Sequence, residues 1–176
     1  DALGKVYQME YDSAGQLTRL IDPLNRATTF TYNSFGNIVG RLDAAGFAST
    51  STFNSAGNLT QATDVEGHST QFTYDAMNRL TSATDALGRT TQYVYDNQDN
   101  LTSFTDARGN ASAYSYDVLD RLAQKTDPLG KQTTYAYDGV GNLTSLTDAK
   151  GAVKNLTYDA GGRLIQTQNS GGDNTT

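Results

Sequence analysis

Asp127-Pro128-Leu129-Gly130-Lys131-Gln132-Thr133-Thr134-Tyr135-Ala136-Tyr137-Asp138-Gly139-Val140-Gly141-Asn142-Leu143-Thr144-Ser145-Leu146-Thr147 is one period of this chain. It holds two turn signals, Asp127 to Gly130 and Asp138 to Gly141, with β-branched and aromatic residues between them. The stretch returns along all 176 residues at an interval of 21. An aromatic residue followed by Asp or Asn stands at Tyr11, Tyr32, Phe53, Tyr74, Tyr95, Tyr116, Tyr137 and Tyr158. Asp1, Asp22, Asp43, Asp64, Asp85, Asp106, Asp127 and Asp148 form a second series with the same spacing. Three residues after members of that series come Gly4, Gly46, Gly67, Gly88, Gly109, Gly130 and Gly151, with Asn25 as the exception. Leu17, Ile38, Leu59, Leu80, Leu101, Leu122, Leu143 and Leu164 follow each aromatic by six residues. Eight in-phase copies without an insertion or deletion make this a repeat array.

Asp at the first position and Gly at the fourth is the signature of a type I turn, with the Asp carboxylate accepting a backbone N–H two residues on. The Gly supplies the left-handed residue of a three-residue hairpin loop that ends in a bulge. Where Gly is replaced, the substitutes are Asn25, Asn78, Asp99 and Asp120, and Asn and Asp are the side chains that best tolerate positive φ. Pro23 and Pro128 occupy the second turn position, where a fixed φ is already correct.

Each repeat therefore builds one two-stranded hairpin, and the array is an all-β antiparallel meander of about sixteen strands. Such a sheet twists and coils, so the expected form is curved and spiralling. The aromatics of the Tyr-Asp series stack as a column, joined two residues earlier by Met9, Phe30, Ser51, Phe72, Tyr93, Tyr114, Tyr135 and Leu156. Tyr suits a one-layer wall, because its hydroxyl can reach water or a carbonyl. The second strand of each hairpin alternates poorly, since Leu101 and Phe104 would face opposite ways; a bulge would reset the phase, and the register stays open at this level. Residues 1–172 read as the repeat array and 173–176 as the start of a further strand, so that the chain looks like a piece of a longer array with open sheet edges that favour self-association.

Composition agrees. Hydrophobic residues are 36% and charged residues 18%, too few of the helix formers for a bundle. No apolar run reaches the length of a membrane-spanning helix. The net charge of −6 disfavours nucleic acid. The two repeat series account for 14 of the 19 acidic residues, which reads as turn chemistry rather than an acidic patch.

The chain has no Cys, so it holds no Cys-His pair, and with one His, His68, no Ser-His pair is expected. His68 occupies the variable slot that Lys5, Arg26, Arg89 and Lys131 occupy elsewhere, and reads as a solvated turn residue. Asp96 to Asn100 lacks the Gly and terminal Glu of a calcium loop. No catalytic, cofactor or metal residue is expected. The positions that matter are structural: the eight aromatics of the Tyr-Asp series and the seven glycines named above.

Tyr-Asp-x-x-Gly-x-Leu-Thr, at Tyr11 to Thr18 and Tyr137 to Thr144, together with Asp127-Pro128-Leu129-Gly130, resembles the YD repeat of the Rhs family. That resemblance covers residues 1 to about 172 and extends to the C components of toxin complexes and to teneurins. It implies a hollow β-shell of many hairpins that encloses a C-terminal toxin domain until delivery, often by type VI secretion, in a secreted or surface protein of bacteria. It further implies, as partners, more repeats and a toxin cargo of the same parent chain. The family's self-cleaving aspartate motif is not matched, because Gly130 is followed by Lys131 and another repeat. The competing reading is a glycan-binding or adhesive repeat module that uses the aromatic stripe, with Tyr93 and Tyr114 as its test positions; arrays of that kind usually rely on Trp, and there is none here.

Overall fold

The computed structural model describes residues 6–170 and the backbone of Asn174 and Thr175. Every regular element among them is a strand. The chain divides into two units, 1–90 and 91–176. The first carries β1 (Gln8–Tyr11), β2 (Leu17–Ile21), β3 (Ala27–Tyr32), β4 (Ile38–Leu42), β5 (Ala48–Phe53), β6 (Leu59–Thr63), β7 (Ser69–Tyr74) and β8 (Leu80–Thr84). The second carries β9 (Thr90–Tyr95), β10 (Leu101–Thr105), β11 (Ala111–Tyr116), β12 (Leu122–Thr126), β13 (Gln132–Tyr137), β14 (Leu143–Thr147), β15 (Val153–Tyr158), β16 (Leu164–Asn169) and β17 (Asn174–Thr175). Within each unit every strand pairs antiparallel with the next in sequence, as a meander of hairpins requires.

The turns take the conformation the residues dictate. Gly88 N–H donates to the Asp85 carbonyl at 2.9 Å and Asp85 N–H to the Arg89 carbonyl at 3.0 Å. These two bonds close a type I turn on a left-handed fourth residue. Asn25, Asn78, Asp99 and Asp120 have φ of 61°, 64°, 69° and 59°, and they are the non-Gly residues with positive φ among those described. The substitution pattern in the sequence thus marks the left-handed positions correctly. Gly46, Gly67, Gly88, Gly109, Gly130 and Gly151 are left-handed as expected; Gly4 lies outside the described residues.

The open register resolves as a bulge in every hairpin. Tyr95 pairs with Leu101, but the next pair is Val94 with Ser103, so Thr102 is the extra residue. Phe104 then faces Tyr93, and Leu101 and Phe104 share the face of Tyr93 and Tyr95. The same slip follows Leu17, Ile38, Leu59, Leu80, Leu122, Leu143 and Leu164. A Thr at the bulge compensates the interrupted ladder: the hydroxyls of Thr18, Thr102 and Thr144 donate to the carbonyls of Glu10, Val94 and Ala136 at 3.1–3.2 Å.

Within each unit the described strands form a single layer. Among the described residues only Ile21 is buried, at 7% exposure. In β5, β11 and β13 the even burial alternation puts one face half in contact and the other in water. Tyr32, Phe53, Tyr74, Tyr95, Tyr116, Tyr137 and Tyr158 are all half-buried on the covered face.

Candidate functional site

Every repeat has two turns, and within each unit these lie on opposite edges of the sheet, one at each end of its strands. In all fifteen described turns the side-chain Oδ1 of the leading Asp or Asn accepts two backbone N–H groups, from the residues two and four further on, at 2.8–3.1 Å. Sequence reading gave the first of these bonds; the second, to the residue after the left-handed position, it did not reach. That pair of donors is what the acidic residues are for.

At the edge formed by the Tyr-Asp turns, consecutive repeats are tied together. The hydroxyls of Tyr32, Tyr74, Tyr116, Tyr137 and Tyr158 donate to the carbonyls of Leu17, Leu59, Leu101, Leu122 and Leu143, each fifteen residues earlier, at 2.8–3.0 Å. The Tyr column therefore joins to the Leu column of the preceding hairpin. Phe53 fills the same position without a hydroxyl. The slot after the left-handed residue adds further ties. Asn58 donates to Asn78 Oδ1 at 2.7 Å and Asn100 to Asp120 Oδ1 at 2.9 Å. Arg121 donates to the Asp138 carbonyl at 2.9 Å and its guanidinium lies 4.6 Å from the centre of the Tyr137 ring.

The opposite edge is built differently. The corresponding slot there holds Arg26, Phe47, His68, Arg89, Asn110, Lys131 and Ala152, all exposed. Their side-chain bonds stay inside one turn, as in Arg89 Nε to Asp85 Oδ2 at 2.7 Å and Asn110 Nδ2 to Asp106 Oδ2 at 2.9 Å. Leu87 and Leu129 at the tips are 78% and 81% exposed.

Both edges lower carboxylate pKa values by the same means. Asp22, Asp64, Asp75, Asp148 and Asp159 are held below the ordinary value of 3.8 chiefly by the backbone N–H of the residue four further on. Asp85, Asp106, Asp117 and Asp138 are lowered first by that residue's side chain. Burial, then the charge of Asp96 and the nearby Tyr114, raises the Tyr116 phenol above 10.0. This is the pattern of repeated turn locks, whereas a catalytic centre perturbs one constellation.

Residues 11–48, 53–90, 78–111, 95–131, 116–153 and 137–174 match the RHS Repeat family. The chain belongs to the RHS repeat family. No curated protein matches it. Among solved structures, this RHS repeat chain is similar to the crystal structure of TcdB2-TccC3-Cdc42, with a TM-score of 0.72, 15% identity and coverage of 96% of this chain and 11% of that one. It is similar to TcdB2-TccC3 without its hypervariable C-terminal region, with a TM-score of 0.67, 17% identity and coverage of 92% and 10%. The Photorhabdus luminescens Tc holotoxin pore matches with a TM-score of 0.62, 16% identity and coverage of 96% and 12%. The chain thus spans about a tenth of the length of the solved chains it resembles, and the likeness is one of fold.

Of the eight predicted aromatics, the seven from Tyr32 to Tyr158 are half-buried, while Tyr11 is exposed with its hydroxyl 3.3 Å from Met9 Sδ. Tyr93 is engaged within the sheet, its ring 5.5 Å from that of Phe104 at 56°. His68 is exposed, as expected of a turn residue, but it does not stand alone. Its Nδ1 lies 3.3 Å from Asp64 Oδ2 and 3.4 Å from Glu66 Oε2. Sequence reading set His68 aside for want of a second His or Cys, and did not count carboxylates two and four residues before it. The spacing Asp-x-Glu-x-His at 64–68 was the available signal.

Proposed function

We propose that this chain is a wall segment of an RHS-type shell, which surrounds a C-terminal toxin domain of the same parent protein and helps to deliver it. The observation that carries this reading is the one-layer sheet whose repeats are tied edge-on by Tyr hydroxyls to Leu carbonyls. Such a sheet lengthens by adding hairpins, not by thickening a core, and a long one-layer strip that twists and coils is what an enclosing wall needs. The likeness in fold to the TccC3-containing chains, of which it spans about a tenth, supports a role as part of a larger wall. The wall does no catalytic chemistry in this reading: the leading carboxylate of each Asp turn is committed through Oδ1 to turn amides. Secretion to the cell exterior, including a type VI route, belongs to the same proposal.

The test is the size of the native parent in its source cells, detected with antibody raised against this chain. The reading predicts a chain many times larger than 18.9 kDa, accompanied by a separate C-terminal piece that co-purifies with it and resists added protease. A native chain close to 18.9 kDa could enclose nothing and would overturn it.

A further inference from the structure

Asp64, Glu66 and His68 are brought together on the turn between β6 and β7, on the edge opposite the Tyr-to-Leu ties. We propose that this turn is a binding site for a divalent transition-metal ion of the zinc class, held by Asp64 Oδ2, Glu66 Oε2 and His68 Nδ1. The three atoms lie within 4.8 Å of one another. Zinc bonds to imidazole nitrogen and carboxylate oxygen are about 2.0–2.2 Å, so adjacent ligands of a tetrahedral ion stand about 3.3–3.5 Å apart. The two separations involving His68 are 3.3 and 3.4 Å. Both fall in the range of ligand–ligand separations of such a tetrahedron, and the Asp64 contact serves in the ion's absence as a long hydrogen bond of the turn. One imidazole with two carboxylates is a donor set that suits zinc and its neighbours better than calcium or magnesium.

The turn is pre-organised for this. Asp64 Oδ1 is pinned by the N–H groups of Glu66 and His68, both at 2.9 Å, which leaves Oδ2 directed at the imidazole. In three of the equivalent turns that oxygen is answered by a permanent donor, the guanidinium of Arg26 or Arg89 or the amide of Asn110. Only at 64–68 does the chain place a carboxylate and an imidazole, two groups with lone pairs, in the third and fifth positions of the turn.

A second departure from the repeat lies beside it. Ser51 pairs with Ala62, and Ala62 with Thr70, a step across the covered face with no large side chain. The neighbouring step through Phe30, Arg41 and Ser49 keeps two. A groove of about 550 Å³ opens at this notch, and Asp64 and His68 line its mouth. An ion on three protein atoms keeps at least one exchangeable position, and here that position has the groove next to it.

The chain has one His, so a single imidazole signal reports on the site. Zinc chloride alone is titrated into the chain, with the His68 ring resonances followed by NMR and the heat by calorimetry. The proposal expects saturable binding of one ion with shift or broadening of the His68 signals. His68→Asn and Glu66→Gln are each expected to weaken it about tenfold or more, since each removes a ligand. Asp64→Asn keeps the turn, because Asn33 and Asn54 accept the same two amide bonds, and is expected to weaken zinc likewise. Far-UV circular dichroism of all three variants should match the parent. Absence of saturable binding up to millimolar zinc would overturn the proposal, as would Glu66→Gln and Asp64→Asn variants that bind as the parent does, which would leave a lone imidazole and no site.

Discussion

The two edges of this sheet share one turn and differ in what the turn touches. At Asp75 and at Asp85 alike, a carboxylate accepts two backbone amides and a left-handed residue closes the loop. Beyond that they part. Tyr74, just before the first turn, reaches back to the Leu59 carbonyl of the preceding hairpin at 2.9 Å. Leu87 and Arg89, in the second, are exposed, and Arg89 bonds only within its own turn. The difference teaches that the turn sets the hairpin, while the aromatic beside it sets the stacking of hairpins. One edge is therefore constrained by its neighbours and the other is free to vary, and the Asp-Glu-His turn sits on the free one.

Acid attacks what the edges have in common, and so has the largest expected effect. The nine lowered carboxylates are spread over both edges. Each has a folded value below its unfolded one, so its contribution is complete above about pH 4 and is lost as pH falls through the folded values. Thermal unfolding followed by circular dichroism should show a melting temperature nearly flat from neutral pH to about pH 5 and steeply falling below pH 4. A decline centred near pH 6 would mean that other groups control stability.

Gly57→Ala and Gly88→Ala separate turn from stacking. Their φ values are +85° and +77°, and an added Cβ meets nothing within 4 Å at either site. Both variants should cost about 1–2 kcal/mol in denaturant titration, from left-handed backbone alone. Unequal costs would show that the turns themselves differ between edges.

Tyr116→Phe isolates one tie. It removes the 2.9 Å bond to the Leu101 carbonyl and keeps the ring, as Phe53 does naturally. The expected loss is about 1 kcal/mol. The raised Tyr116 value adds an alkaline signature with the opposite sign from the carboxylates: its contribution is intact below pH 10 and is lost as pH rises through the folded value. That loss should be absent in the Phe variant.

Much of this was legible because a repeat states each constraint many times. Asn25, Asn78, Asp99 and Asp120 mark the left-handed positions in the sequence itself, since few other side chains accept that backbone. The Tyr column was legible from spacing. Its partners were not: the Tyr-to-Leu tie joins residues fifteen apart and depends on how one hairpin leans on the next, which a period of 21 does not contain. The bulge at Thr102 was foreshadowed by the broken alternation of Leu101 and Phe104, yet its position needed the pairing with Tyr95 and Val94. The Asp-Glu-His turn was missed because a search for paired His and Cys passes over carboxylates, and because in fourteen other turns the leading Asp or Asn has only structural work.

The most direct test of the difference between the edges is the unfolding free energy of Tyr74→Ala against that of Leu87→Ala, measured by denaturant titration of the same chain. Tyr74 is half-buried and tied to Leu59, so its loss should cost about 2–3 kcal/mol, below the roughly 3–5 of a fully buried ring. Leu87 is 78% exposed and should cost no more than about 0.5 kcal/mol. Equal costs, or a larger loss at Leu87, would contradict the claim that the Tyr edge holds the repeats together.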